Sequence, residues 1–513
     1  MPLIKPASDQ LFAVEKFREV SSAFIGDSMG VGKTVTAIER DFRIRQDHPE
    51  AKNGPTLIVS EKIGLDVWDF HLKAMGVPEA DILVIDPKNR ATFELALGEL
   101  REDLFRRRVP EYSYYIMHYD AIRLMKASLF ATPHPIRWMH IIADEFHLIK
   151  NPKAIRTKLF KRIKSDWKTG CTGTPADDKP DDIWSLLNWL YPRQFSSYWR
   201  WFHEYVDSEE AVRHDHYIDP ATGERKVKLT GYTITTGVKN TRKLHKVLEP
   251  FYIRRLLTDV VDDMPEKIHV QPPIMVDMAP KQRRQYEQMK KKAMTRIGDV
   301  EDGQFVLMSP DVMTLSLRLQ QMALATLEPV WDVGDEDYDE SADESEAWID
   351  WDLPRIVLSK PAPKLDAVMN LITTHEDEPF IVFTHFRGMA DLVEEECRAN
   401  GITVVKIHGG VTSNRTELVK CFQSGRARIF VGTIAAAGKT ITLDRAHHVI
   451  FTDRSWNPHR NGQAEDRAWR RTQRNAVRIY SIQTRDTIDQ IQIEKIKTKA
   501  ELADAIANPG KYA

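Results

Sequence analysis

Cysteine is scarce. The chain has three in 513 residues, Cys171, Cys397 and Cys421, too few for a disulfide framework. No CxxC pair occurs, which speaks against a zinc cluster of that kind. No run of about 18 apolar residues exists anywhere, and the opening MPLIKPASDQ lacks the apolar core of an export leader. A large net charge is missing as well, with 73 Lys/Arg against 75 Asp/Glu. What is present is ordinary for a soluble protein: 42% hydrophobic and 29% charged residues. The length allows about three domains, or two with large insertions. A soluble protein of a reducing compartment, without a membrane partner, is the expectation.

The near-zero charge hides a split. Residues 331–352 carry eleven Asp/Glu and no Lys/Arg; without them 73 basic residues face 64 acidic ones. From Arg454 to Lys499 there are eleven Lys/Arg against five Asp/Glu. A polyanion partner fits this balance, and so do solvated helix faces.

Short apolar runs recur, and most end in a polar cluster. AFIG leads to DSMGVGKT, TLIVS to EK, WMHIIA to DEFH and FIVFT to HFRG; TVVKI, RIFVGT and HVIFTD behave alike. Runs of four to six apolar residues suit strands buried on both faces. Helical patterns lie between them, such as NPKAIRTKLFKRIK, with Pro152 near its start and Ile155, Leu159, Phe160 and Ile163 along one stripe. Strand and helix in alternation predict an α/β fold with parallel sheets, whose ligands bind beyond the carboxyl ends of the strands. The strand clusters form two groups. We expect an amino-terminal lobe over 1–183, a helical insertion and the end of that lobe over 184–275, and a second helical region with an acidic insertion over 276–360. A carboxyl-terminal lobe over 361–490, entered through the linker SKPAPKLD, and a helical tail over 491–513 complete the division. The acidic stretch GDEDYDESADESEAW reads as a disordered spacer that could also dock a protein.

GDSMGVGKT has the makings of a phosphate loop. Such a loop needs glycines for close backbone approach, a Lys for the β/γ-phosphates and a hydroxyl for Mg²⁺. Gly30, Gly32, Lys33 and Thr34 fill these roles, although Asp27 replaces the first glycine of the strict pattern. A second GKT, at 438–440, lacks the upstream glycine. WMHIIADEFH then places Asp144 and Glu145 at a strand tip. An Asp there can hold Mg²⁺, and the adjacent Glu can orient and deprotonate the attacking water. In isolation such a pair is usually a helix N-cap; about 110 residues after a phosphate loop it carries weight. Near the end, QAEDRAWRRTQ sets Arg467 and Arg470 three apart, on one face if helical. Two guanidinium groups there can reach a γ-phosphate, or simply coat a solvated basic helix.

Taken together these segments resemble the Swi/Snf-related DNA translocases of helicase superfamily two, over about residues 5–495. LIKNPKAIRTK resembles that family's extended DEAH-box stretch, and CTGTPADDKPDDIWSLLNWLYP its threonine-glycine-threonine-proline motif. LHKVLEPFYIRR and MPEKI resemble the end of its first lobe, and APKQRRQYEQM the start of its second helical region. FTDRSWNP and QAEDR match its last motifs in order. The resemblance implies two RecA-like parallel-sheet lobes with helical insertions, and ATP and Mg²⁺ as ligands. Gln10 stands where the family reads adenine, Lys33 and Thr34 take phosphate and metal, Asp144 takes the metal, and Glu145 is the catalytic base. Arg467 and Arg470 complete the site when the lobes close. Thr172 and Thr174 would relay nucleotide state to the DNA side; a tight structural turn is an equal reading. The sequence departs from the family pattern at Phe146, where Ala is usual, at IAAAGKTITL, and at Trp469, Arg471 and Thr472.

Candidates for contact with DNA phosphates are Lys62, His118, His385, Arg387 and Thr433, all just after strands. The implied activity is ATP-driven translocation on duplex or branched DNA, with remodelling of protein–DNA complexes or of repair and recombination intermediates as output. A strand-separating helicase and a non-enzymatic DNA-binding scaffold are the rival readings. The chain leaves no room for a chromatin-reading module. A monomer in the cytoplasm of a bacterial or virus-infected cell is the expectation.

Overall fold

In the computed structural model the apolar runs are strands, and every strand of the two large sheets is parallel to its neighbours. The structure describes residues 3–85, 89–131, 134–175, 182–218, 225–297, 305–308, 312–330, 355–409, 414–437 and 441–507. It divides into two units, Met1–Val260 with Lys499–Ala513, and Val261–Thr498.

In the first unit the strands are β1 (Ser22–Ile25), β2 (Thr56–Ser60), β3 (Ile82–Ile85), β4 (Tyr114–His118), β5 (Arg137–Asp144) and β6 (Lys164–Cys171). A long antiparallel hairpin follows, β7 (Val206–Ile218) with β8 (Arg225–Val238), and then β9 (Tyr252–Ile253). The sheet order is β3-β4-β2-β5-β6-β1-β9. β1, β2 and β4 are buried along their whole length, as strands covered by helices on both faces must be. One face carries Phe24, Phe146, Phe160 and Trp189; the other carries Ala23, Ile38, Trp68 and Ile142. Phe146, the departure from the family's usual Ala, is fully buried and edge-on to Phe24 at 4.7 Å. It fits because Gly170 lies opposite: a Cβ there would come within 2.6 Å of the Phe146 ring.

In the second unit the strands are β10 (Lys267–His269), β11 (Ile274–Val276), the antiparallel pairs β12 (Met294–Ile297) with β13 (Phe305–Met308) and β14 (Thr326–Val330) with β15 (Arg355–Ser359), and then β16 (Phe380–Thr384), β17 (Val404–Ile407), β18 (Ile429–Thr433), β19 (His448–Phe451) and β20 (Val477–Thr484). The large sheet runs β10-β20-β19-β16-β18-β17, with β11 also on β20. Its two faces are packed by Phe383, Ile407 and Phe451, and by Val382, Val393 and Ile450. The acidic stretch between β14 and β15, and the second GKT at 438–440, lie outside the described residues. No helix among the described residues is long and apolar enough to cross a membrane.

Several local expectations need correction. Residues 184–275 are not only helical, since β7 and β8 add 13 and 14 residues of strand. The run KVKLTGYTITTGV in β8, rich in Val, Ile and Thr, carries the strand signal of this segment. The first unit ends at Val260 rather than near 275. SKPAPKLD is no free linker: Pro363 opens the helix Pro363–Thr374, and Lys364 is wholly buried. Its Nζ donates to the Thr452 carbonyl and pairs with Asp489, both at 2.7 Å. The helix expected around Pro152 forms only over Ile155–Phe160, and Ile155 is exposed.

Candidate active site

In the first unit β6 lies between β1 and β5. Strands in a sheet are about 4.8 Å apart, so the loops after these three strands share one small area at their carboxyl ends. Those loops hold the phosphate-loop pattern, Thr172–Thr174, and Asp144–Glu145.

After Ile25 the chain turns into the helix Lys33–Asp47. Gly30 and Gly32 have φ of +82° and +99°, which other L-residues adopt at a cost of about 1–2 kcal/mol. A Cβ at Gly32 would run into the Gln10 amide. No side chain caps the helix and its first turn has no acidic residue. Its free N–H groups and positive dipole end therefore suit an anion. Thr34 sits in that first turn. Lys33 Nζ lies over the loop, donating to the carbonyls of Asp27 (3.0 Å) and Ser28 (3.2 Å).

Asp27 explains the missing first glycine. Its carboxylate is completely buried and faces Arg255. The Arg255 backbone N–H donates to Oδ1 at 2.9 Å, Nε to Oδ1 at 3.2 Å, and Nη2 to Oδ2. Arg255 also pairs with Asp9 on the helix Ser8–Lys16. The neighbouring Arg254 donates to the carbonyls of Gly26 and Gly173. The YIRR segment thus ties together the loops after β1 and β6.

Asp144 ends β5, and Glu145 follows at φ +44°, a strained left-handed value of the kind found at functional sites. Asp144 Oδ2 accepts from Trp68 Nε1 (2.9 Å) and Ser60 Oγ (3.1 Å). Burial and the Glu145 charge beside it raise its pKa despite these bonds and Lys33. Burial would raise Glu145 too, but His147, Lys33 and Thr172 outweigh it and hold Glu145 below the usual range. Two crowded carboxylates facing one lysine are a donor set that a hard divalent cation relieves, and the Thr34 hydroxyl is the fitting third oxygen. The residues fit Mg²⁺ and a triphosphate.

Thr172 is buried and donates to Glu145 Oε2 at 3.2 Å. Its Oγ1 also accepts from the Thr174 backbone N–H and lies 3.0 Å from His147 Nδ1. The turn is tight, and it also touches the catalytic candidate. Gln10 reaches the loop, but its amide N–H groups are bonded to the carbonyls of Val31 and Gly32.

In the second unit the helix Pro458–Glu465 stops before both arginines. Arg467 and Arg470 therefore do not share a helix face, as the spacing suggested. They converge differently, both donating to the Ile441 carbonyl at 3.4 and 3.1 Å. Arg467 is only 2% exposed, which excludes the solvated-helix reading for it. Glu465, at the end of that helix, pairs with Arg454 (2.7 Å) and Lys267 (3.0 Å).

The phosphate-contact candidates separate. Lys62 and Arg387 are exposed at strand ends. His385 is half-buried, and its backbone N–H donates to Asp453. His118 is 9% exposed and its Nδ1 accepts from the Ala121 N–H, so it shapes a turn. Thr433, the last residue of β18, is 7% exposed. Sequence reasoning missed Arg255, Trp68, Ser60 and His147. The His in DEFH and the Arg pair ending LHKVLEPFYIRR had a local signal; Trp68 and Ser60 had none.

The model of the SNF2-related domain matches residues 11–325, and that of the helicase conserved C-terminal domain matches 363–472. The chain is similar to the transcription regulatory protein SNF2 of Saccharomyces cerevisiae, 25% identical over 97% of this chain and 27% of that protein. It is also 25% identical to the yeast nuclear protein STH1/NPS1, over 96% of this chain and 34% of the relative. The same identity holds for human SWI/SNF-related matrix-associated actin-dependent regulator of chromatin subfamily A member 1, over 96% and 42%. The chain therefore spans about a quarter to two fifths of these relatives. A solved structure, the Sulfolobus solfataricus SWI2/SNF2 ATPase core in complex with dsDNA, is 19% identical, with a TM-score of 0.41 over 99% of this chain and 95% of that one. The expected place in the cytoplasm of a bacterial or virus-infected cell is corrected by these relatives: they are eukaryotic, and one is a nuclear protein by name.

Proposed function

This chain belongs to the SNF2-related family, and on that premise we propose that it is a Mg²⁺-dependent, DNA-stimulated ATPase that moves along duplex or branched DNA. The observation that carries this reading is the convergence of Lys33, Thr172 and the Asp144–Glu145 pair at the carboxyl ends of three neighbouring strands.

Lys33 and the free N–H groups opening its helix bind the triphosphate of the substrate. Thr34 and Asp144 would hold Mg²⁺, which would supply neutralising charge to the triphosphate. Glu145, kept ionised by His147, Lys33 and Thr172, orients the attacking water and accepts its proton. Arg467 and Arg470 serve as the arginine fingers. Gln10 reads the base once it exchanges its loop carbonyls for adenine. Lys62 and Arg387 contact DNA phosphates, with His385 beside Arg387. Thr172 and Thr174 connect Glu145 to the rest of the motor.

Two displacement assays with the full chain test the motor. ATP-dependent release of a third strand from a triplex, without separation of the underlying duplex, is expected. Separation of the duplex makes the protein a helicase. Neither movement nor hydrolysis makes it a scaffold.

A further inference from the structure

We propose that Glu378, His447 and His448 form a site for a divalent transition ion of the Zn²⁺ class, on the second unit. Glu378 Oε2 lies 2.9 Å from His447 Nε2 and 3.9 Å from His448 Nε2. The three ligand atoms all fall within 4.8 Å of one another, the one such group among the described residues. A tetrahedral ion with bonds of about 2.0–2.1 Å holds its ligand atoms about 3.4 Å apart. Small side-chain rotations bridge the difference.

The fold makes this cluster by register. β16 and β19 are adjacent and parallel, with Phe380 opposite His448, so the residues just before β16 meet the start of β19. The loop carrying Glu378 is fixed from the other side of β16. The Arg428 guanidinium donates to the carbonyls of Ile372 (2.6 Å), His375 (2.7 Å) and Glu378 (3.0 Å). Asp377 takes φ +68° to complete the turn.

His448 is held as a ligand is. His448 is 4% exposed, with its ring stacked between Phe380 at 4.7 Å and Tyr480 at 5.8 Å. Its Nδ1 lies 3.1 Å from Tyr480 Oη, the outer partner that sets a metal-binding imidazole's tautomer and aims Nε2. The buried Nδ1 of His447 has no hydrogen-bond partner among the described residues. Glu378 is 42% exposed, which leaves a solvent path for the ion and room for a fourth ligand. That ligand is water or His375, whose ring lies 5.1 Å from that of His448. Two imidazoles and one carboxylate suit Zn²⁺, Co²⁺ or Ni²⁺ better than Mg²⁺. The site sits before β16, whereas His385 and Arg387 follow it, so ion and DNA candidates mark opposite ends of one strand. An ion here clamps the amino ends of β16 and β19.

The test uses the full chain, stripped with chelator and titrated with Zn²⁺ against a chromophoric competitor, and with Co²⁺ by visible absorption. One equivalent of Zn²⁺ and a four- or five-coordinate Co²⁺ band are expected in the presence of excess Mg²⁺. His447→Ala and Glu378→Gln remove ligands at the open side, and circular dichroism checks that both fold. Each is expected to weaken Zn²⁺ by more than the roughly 10–100-fold that losing an outer partner costs, and to abolish the Zn²⁺-induced rise in Tm. No stoichiometric binding, or unchanged affinity in both folded variants, overturns the proposal and leaves a plain Glu–His ion pair.

Discussion

Asp144 and Glu145 are adjacent in the chain, yet their surroundings drive their carboxyl groups in opposite directions. Burial and the neighbouring charge raise Asp144, while His147, Lys33 and Thr172 lower Glu145 against its own burial. One residue is thus left wanting a cation, and the other stays ionised to handle water. Glu145→Gln should keep nucleotide binding and lose roughly 10²–10⁴-fold in turnover, the range for a general base. Paired binding and single-turnover measurements check this; turnover within a few-fold of wild type removes Glu145 from its role.

Arg255 holds the phosphate loop through the buried Asp27. Arg255→Ala leaves that carboxylate unpaired, and breaking a buried pair costs about 3–5 kcal/mol. Denaturant unfolding should show that loss together with weaker nucleotide binding. A variant as stable as wild type would show that the pair does not support the loop.

Gly32 is constrained twice, by φ +99° and by the Gln10 amide beside it. Gly32→Ala should therefore bind nucleotide poorly. Adding Gln10→Ala relieves the collision but not the backbone strain of about 1–2 kcal/mol, so the double variant should recover only in part. Full recovery in the binding titration would mean that the side-chain contact is the whole constraint.

Glu465 gives the second unit an acid-sensitive joint. Burial opposes its charge, but Lys267, Arg454 and His269 win and hold its pKa at about 2, against an ordinary 4.5. A carboxylate lower in the folded than in the unfolded state contributes fully above the unfolded value, and that contribution fades as pH falls toward the folded value. The stability difference between wild type and Glu465→Gln should therefore be constant above about pH 5 and shrink between 4.5 and 2. A pH-independent difference across that window would show that the charge is not what matters.

Much of this was readable in the chain before any fold was known. The apolar runs mark β1, β2, β5 and β16 to β19, and short spacing alone marks Lys33 and Thr34 as phosphate-loop residues. What stayed hidden depends on distance along the chain. Asp27 and Arg255 are 228 positions apart, so nothing local marks Asp27 as paired rather than merely a substituted glycine. β6 carries polar residues at its start, KSDWK, and shows no apolar run. The pairing of Arg467 with Arg470 was legible only as spacing. It is the Ile441 carbonyl, not a helix face, that brings them together. Glu378 and the two histidines meet through strand register, which no single segment reveals.

The most direct test is steady-state ATP hydrolysis by the full chain with Mg²⁺, with and without duplex DNA, for wild type and Lys33→Ala. Hydrolysis that rises strongly on adding duplex and vanishes in Lys33→Ala is the predicted result. Equal rates with and without DNA, or undiminished hydrolysis in Lys33→Ala, would contradict it.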